Sequence, residues 1–223
     1  MRTAIFQGDA WCPSVEVTRG RRVLTLVGLA GLHVLLYFLV NRISEARPAD
    51  VWIDFSISLD ERIPFLPWTW VVYYGGDLFI VGFAAWVMWR LPDAAFRRAA
   101  IAYTAMMLAA AAIQVLFPAP APWPAEFTAA QAWGHAAAGM HRFATFPSMH
   151  VALSVLPACL SLSVLRRPSA RGAAVLAALL ISLSTLTLKE HLVLDAGAGA
   201  ILALGAWWWW RRGISPDTMA RTP

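Results

Sequence analysis

Charged side chains are scarce in this sequence, and lysine is nearly absent. Asp, Glu, Lys and Arg make up 14% of the 223 residues, where soluble domains carry roughly a quarter. With hydrophobic residues at 59%, an ordinary water-soluble domain is excluded and an integral membrane protein is expected. Lysine occurs once, as Lys189, so nearly every cation is arginine. That bias points to a GC-rich bacterial genome. Cysteine occurs only at Cys12 and Cys159, which excludes a disulfide framework and cysteine-based zinc spacing. Cys159 lies in an apolar run and reads as a small packing residue. Internal repeats, a nucleotide loop, a low-complexity tail and an HExxH zinc motif are missing too. The formal charge of +5 would suit nucleic acid, but the arginines cluster between apolar runs, as membrane topology signals do. Nucleic-acid binding is not expected.

What is present is a series of six apolar runs, at 23–40, 68–89, 99–117, 149–165, 172–188 and 192–210. Each is roughly the length needed to cross a hydrocarbon core of about 30 Å. Arg19, Arg21 and Arg22 precede the first run, and Arg90, Arg97 and Arg98 fill the second connection. Arg166, Arg167 and Arg171 lie around the fourth, and Arg211 and Arg212 follow the last. If the runs alternate in direction, all these clusters share one side, which the positive-inside rule assigns to the cytoplasm. The expected fold is all-α, a polytopic bundle of six transmembrane helices in a bacterial inner membrane. A cytoplasmic N-terminal segment (1–22), one membrane domain (23–210) and a cytoplasmic tail (211–223) are expected. A signal peptide is the competing reading of the first run, since Ser44 and Ala46 offer a small-x-small site. Its apolar stretch of about 18 residues exceeds the usual 7–15, and an uncleaved span is expected. The Trp207–Trp210 run, with Trp86 and Trp89, reads as an interfacial belt on the cytoplasmic side.

Ionisable side chains at membrane depth are functional candidates by default. At the outer ends of the runs these are His150, Lys189, His191 and Asp195, with Arg142 nearby in the connection 118–148. In FPSMHVALS, Pro147 and Ser148 are helix-start residues. A helix start presents free N–H groups to a phosphate, and His150 falls within its first turn. The alternative is a capped helix with an interfacial histidine. In KEHLVLDAGAG, His191 and Asp195 are four apart and share a helical face. A carboxylate on one imidazole nitrogen fixes the tautomer and leaves the other nitrogen free to attack. A zinc site or a structural His–Asp pair are the alternatives. The fourth and sixth runs both start outside, so His150 and His191 should meet at one depth. One could then attack phosphorus while the other protonates a leaving alcohol.

Other polar residues receive smaller roles. His33 and Asp77 could form a buried structural pair, and Gly75 and Gly76 a close helix contact. His135 and His141 read as solvated loop residues. FTAAQAWGHAAAGM reads as a short interfacial helix.

Pro147-Ser148-Met149-His150, followed by Ser184-Thr185, five residues, His191 and Asp195, resembles the paired motifs of the type 2 phosphatidic acid phosphatase superfamily. IPFLPWTWVVY and VLFPAPAP extend the resemblance over about 60–205. The resemblance implies a six-span membrane enzyme with its site facing away from the cytoplasm, acting on a membrane lipid phosphate. It implies His191 as nucleophile, Asp195 as its orienting partner and His150 as acid and base, with no metal and no cofactor. It also places Ser148 and Ser184 at the phosphate. Three departures stand out. The family's KxxxxxxRP element is missing, Thr185 replaces an arginine, and Met149 replaces a glycine. These resemble the inositolphosphotransferase-like branch, and they leave Lys189 and Arg142 as the nearest outward cations for the phosphate. Water or an alcohol could accept the phosphoryl group. A non-enzymatic lipid transporter or scaffold is the remaining rival, for which six spans alone would suffice.

Overall fold

Each apolar run winds into a helical rod. The computed structural model describes residues 17–124, 126–138 and 141–215; Cys12, most of the N-terminal segment and the end of the tail lie outside them. Thr18 opens the first helix, α1 (Arg19–Glu45), by accepting from the Arg21 N–H. The connection that follows holds a 3-10 turn (Ala49–Val51) and a short helix, α2 (Ser58–Arg62). A second 3-10 turn, with Pro67 at its first position, leads into α3 (Trp70–Leu78), a π turn (Phe79–Phe83) and α4 (Ala84–Arg90), which together form one rod. Then come α5 (Asp93–Leu116), α6 (Ala129–Ala138), α7 (Met149–Val164), α8 (Pro168–Thr187) and α9 (Val193–Arg212). No strand occurs among the described residues.

Four of these rods are long and apolar enough to cross a membrane: Arg19–Glu45, Pro67–Arg90, Asp93–Leu116 and Pro168–Thr187. The other two fall short of the six expected for different reasons. α7 is apolar but only 16 residues long. α9 has 20 residues, but Asp195, its glycines and the four tryptophans dilute its aliphatic content.

α7 sits at the centre, packed on α9, α8 and α4, while α1 lies at the edge along α5. The arginine clusters also make structural contacts. α5 begins at Asp93, so Arg97 and Arg98 are helical rather than part of a loop. Arg98 donates to the carbonyls of Trp209 and Trp210, neutralising the negative end of α9. Arg22 likewise donates to the carbonyls of Trp89 and Leu91 and to Asp93. Of the expected tryptophan belt, Trp86, Trp89, Trp208 and Trp209 are exposed, but Trp210 is core and donates to the Ala95 carbonyl.

The N-terminal ends of α7 and α9 are in direct contact. The Ser148 N–H donates to the Asp195 carbonyl at 2.9 Å. A methyl group at Gly199 would strike the Ser148 carbonyl, so glycine permits the approach. Gly199→Ala is therefore expected to cost about 1–3 kcal/mol through overpacking, and to lower activity about a hundredfold by parting the two helix ends. Thermal unfolding and kcat/KM check this together; an unchanged rate would mean that the contact does not set the site. Of the expected glycine pair, Gly76 abuts Ile181 of α8, whereas Gly75 has open space beside it.

Candidate active site

The chain before α7 is held from three sides. The Gln114 side-chain amide donates to the carbonyls of Ala144 and Pro147, both at 3.0 Å. Asn41 accepts from the Phe143 N–H at 2.8 Å, and Phe146 stacks on Phe55. Ser148 then caps α7, its buried hydroxyl accepting from the Val151 N–H. The N–H groups of Met149 and His150 open the helix, where no carbonyl of the helix itself can reach them. The His150 ring lies against Tyr73, with the phenol oxygen 3.3 Å from Nδ1. Its Nε2 is 3.7 Å from an oxygen of Asp77. Tyr73 and Asp77 are four apart on the α3 rod, so one helical face supplies partners for both ring nitrogens.

The second histidine depends on how α8 ends. The Glu190 N–H donates to the Thr185 carbonyl at 3.0 Å and the Lys189 N–H to that of Leu186 at 3.2 Å. This is the paired closure that normally uses glycine at the left-handed position. Here Lys189 occupies it, with φ of 60°. The turn carries three residues in three directions. Lys189 points its ammonium at the carbonyls of Asp60 and Ile63, 2.9 and 2.7 Å away. Glu190 is buried and receives the Nε1–H of Trp123 at 2.8 Å, with His135 Nε2 2.6 Å from its other oxygen. His191 faces inward, buried. Asp195 accepts from the Leu192 N–H at 2.8 Å, and the same oxygen lies 3.6 Å from His191 Nδ1. That separation exceeds a hydrogen bond and is within the slack usual for catalytic pairs without substrate. Nδ1 thus faces the carboxylate, and Nε2 is the ring atom left for chemistry.

The rings of His150 and His191 stand 5.9 Å apart, centroid to centroid. Both line one small cavity, about 60 Å³ in volume, together with His33, Tyr37, Tyr73 and Glu190. A group held between them would meet a nucleophilic nitrogen on one side and a proton carrier on the other.

A family model described as the PAP2 superfamily matches residues 47–209. The chain belongs to the PAP2 superfamily. Members of this superfamily are phosphatases and phosphotransferases. No curated protein and no solved structure matches the chain. The matched stretch starts after α1 and includes both histidine motifs.

Against the superfamily pattern, the structure brings His150, His191, Asp195 and Ser148 together. His150 and His191 line the cavity, Asp195 and Ser148 are buried behind it, and the other expected residues stand apart from the lining. Ser184 is buried and donates to the Ile181 carbonyl. Arg142 is exposed, between the lining residues His141 and Phe143. Lys189 ties the connection after α1 to the turn before His191. Lys189→Met is accordingly expected to cost about 1.5–3 kcal/mol, the worth of hydrogen bonds from a charged donor, with KM nearly unchanged. A raised KM at constant melting temperature would instead assign the ammonium to the phosphate.

Sequence reasoning missed Tyr73 and Glu190. Glu190 adjoins His191 in KEH, and the rule applied to the other ionisable residues would have flagged it. It also misjudged His135, which is buried between the Trp123 and Phe127 rings. His141 is partly buried and pairs with Glu45 at 3.0 Å. Asp77 pairs with His150 rather than with His33.

Proposed function

We propose that the chain is a membrane lipid phosphatase, acting on a phosphate monoester or diphosphate at the outer leaflet through a phosphohistidine. The observation that carries this reading is the pair of histidine rings over one cavity. His191 Nε2 attacks phosphorus in line, a P–N bond forms as the P–O bond to the lipid breaks, and His150 gives its proton to the departing oxygen. His150 then takes a proton from water, whose oxygen attacks phosphorus and returns the electron pair to His191. Asp195 stabilises the imidazolium that develops on His191. Ser148 serves through the helix start it caps, whose free N–H groups face the phosphate oxygens. Arg142 is the cation beside the cavity mouth, while Ser184 and Lys189 hold the turn that carries the nucleophile. Histidine and aspartate supply the whole reaction, without a metal or cofactor. Among the described residues no three His, Cys, Asp or Glu are grouped to share an ion.

One observation favours a phosphotransferase. The cavity lining contains Glu190 but no lysine or arginine among the described residues, an environment better suited to a singly charged diester than to a dianion. An alcohol of a lipid or polyol would then replace water. Purified enzyme releasing orthophosphate supports the phosphatase; a new phospholipid formed without orthophosphate supports the transferase.

The membrane domain, in this reading, crosses the bilayer six times with both termini in the cytoplasm of a bacterial cell. α7 and α9 complete the count, and the alternation of the arginine clusters supports it. A cysteine placed near Arg142 should react with an impermeant thiol reagent added outside intact cells, and one near Arg97 should not. The reverse labelling would put the site in the cytoplasm and defeat the outer-leaflet assignment.

A further inference from the structure

The cavity beneath the two histidines adjoins a second hollow of a different character. His33 and Met107 line both. The second hollow has a volume of about 270 Å³, just under the roughly 300–1,000 Å³ of ligand pockets. Its other walls are almost wholly hydrocarbon: Leu29 and Ala30 of α1, Ile80 and Ala84 from the opposite rod, and Leu153 of α7.

Its access is lateral. α1 packs along α5 and leaves the α3–α4 rod across a gap. Val27 of α1 and Val81 of the π turn both line the hollow, and they remain 64% and 58% exposed. The π turn Phe79–Phe83 contributes Ile80 and Val81, and such turns recur at functional sites in helices. Its direction also matters. From His33 to Leu26 the hollow runs seven residues along α1, about 10 Å at roughly 1.5 Å per residue. It descends away from the phosphate cavity and towards the end of α1 that carries Arg19 and Arg22.

We infer that this hollow is a tail site, holding one hydrocarbon chain of the lipid phosphate substrate, which slides in from the bilayer between α1 and α4. The inference rests on the reading of His150 and His191 as a lipid phosphate site. A lipid with its phosphate at His191 in the outer leaflet sends its chain towards the bilayer centre, the direction in which the hollow runs. His33 marks the boundary between the polar head and the tail. One wall belongs to α1, outside the residues matched by the superfamily, so the dimensions of the tail site are set partly by the part of the chain beyond the matched core.

Two measurements on the full-length protein in lipid nanodiscs test this. The first compares kcat/KM for hexadecyl phosphate with that for p-nitrophenyl phosphate, which has no tail. Filling the hollow from either side, with Ala30→Trp or Val81→Trp, should lower the ratio of the two about tenfold. Val34→Trp, on a part of α1 that is exposed and does not line the hollow, should leave both activities as they are. An unchanged ratio in two active filled variants would overturn the tail site. The second uses hexadecyl phosphate with a mid-chain diazirine, photolysed on the His191→Ala protein, which cannot turn it over. Cross-links should map to 26–33 and 80–88 and disappear under excess hexadecyl phosphate but not under excess hexadecane. Cross-links elsewhere, or equal competition by hexadecane, would mean that bulk lipid fills the hollow. Should the parent protein hydrolyse neither ester, the phosphatase reading fails, and the cross-links still decide the tail site.

Discussion

His191→Ala is expected to abolish turnover, by on the order of 10⁴-fold or more, and to leave no phosphorylated enzyme. In the proposed reaction every covalent step begins at His191 Nε2, and no other ring nitrogen in the cavity stands opposite a buried carboxylate at i+4. His150→Ala should behave differently. An aryl phosphate has a leaving group that needs little protonation, so the first step survives and the second stalls for want of a base. Incubation with labelled p-nitrophenyl phosphate, followed by acid and alkaline quenches, reads this out, because phosphohistidine is acid-labile and survives base. Label should accumulate on His150→Ala and be absent from His191→Ala. Label persisting on His191→Ala would remove His191 as nucleophile. His191→Asn, closer in shape and polarity, guards against a folding defect being mistaken for a chemical one.

Asp195→Asn is expected to fold and yet lose about 10²–10⁴ in kcat. The oxygen of Asp195 that accepts from Leu192 also faces His191 Nδ1. An asparagine oxygen in that place still accepts the Leu192 N–H and still orients the ring, so α9 keeps its start. The negative charge is lost, and with it the stabilisation of the imidazolium that forms as His191 attacks. Its amide NH₂ would then occupy the place of the other oxygen, which is buried without a partner, at a modest cost in stability. A melting temperature near that of the parent with a collapsed kcat is the anticipated pair of results. A rate within about threefold of the parent would reduce Asp195 to a helix cap.

The helices and the central pair were legible because their signals are local. Apolar runs report rods directly, and His191 with Asp195 is an i,i+4 spacing within one helix. Order in the chain was enough to bring His150 to the same end of the bundle. What escaped is carried by contacts across long separations. Tyr73 meets His150 across 77 residues, and His135 meets Glu190 across 55. No periodicity links such partners, so His135 read as a loop residue and Tyr73 as part of an apolar run. Lys189 shows a different gap. Proximity in sequence to His191 suggested the phosphate, but the left-handed backbone at Lys189 turns its side chain towards the connection after α1. Length and composition mark four spans of the six: α7 is short, and in α9 glycine and tryptophan fill out an apolar run without the hydropathy of leucine.

The turn Lys189–His191 gathers separate parts of the surface at this end of the bundle into a single unit of local stability. Lys189 fastens the segment around Asp60 and Ile63, and Glu190 fastens Trp123 and His135. Two connections remote in sequence are thereby joined through adjacent residues of one turn. Opening either one strains the other, so their amide protons should exchange with solvent as one cooperative group rather than as two independent loops. His191, the proposed nucleophile, belongs to that group. Its placement is therefore exposed to any change that loosens that surface, even at a position far from the reacting atoms.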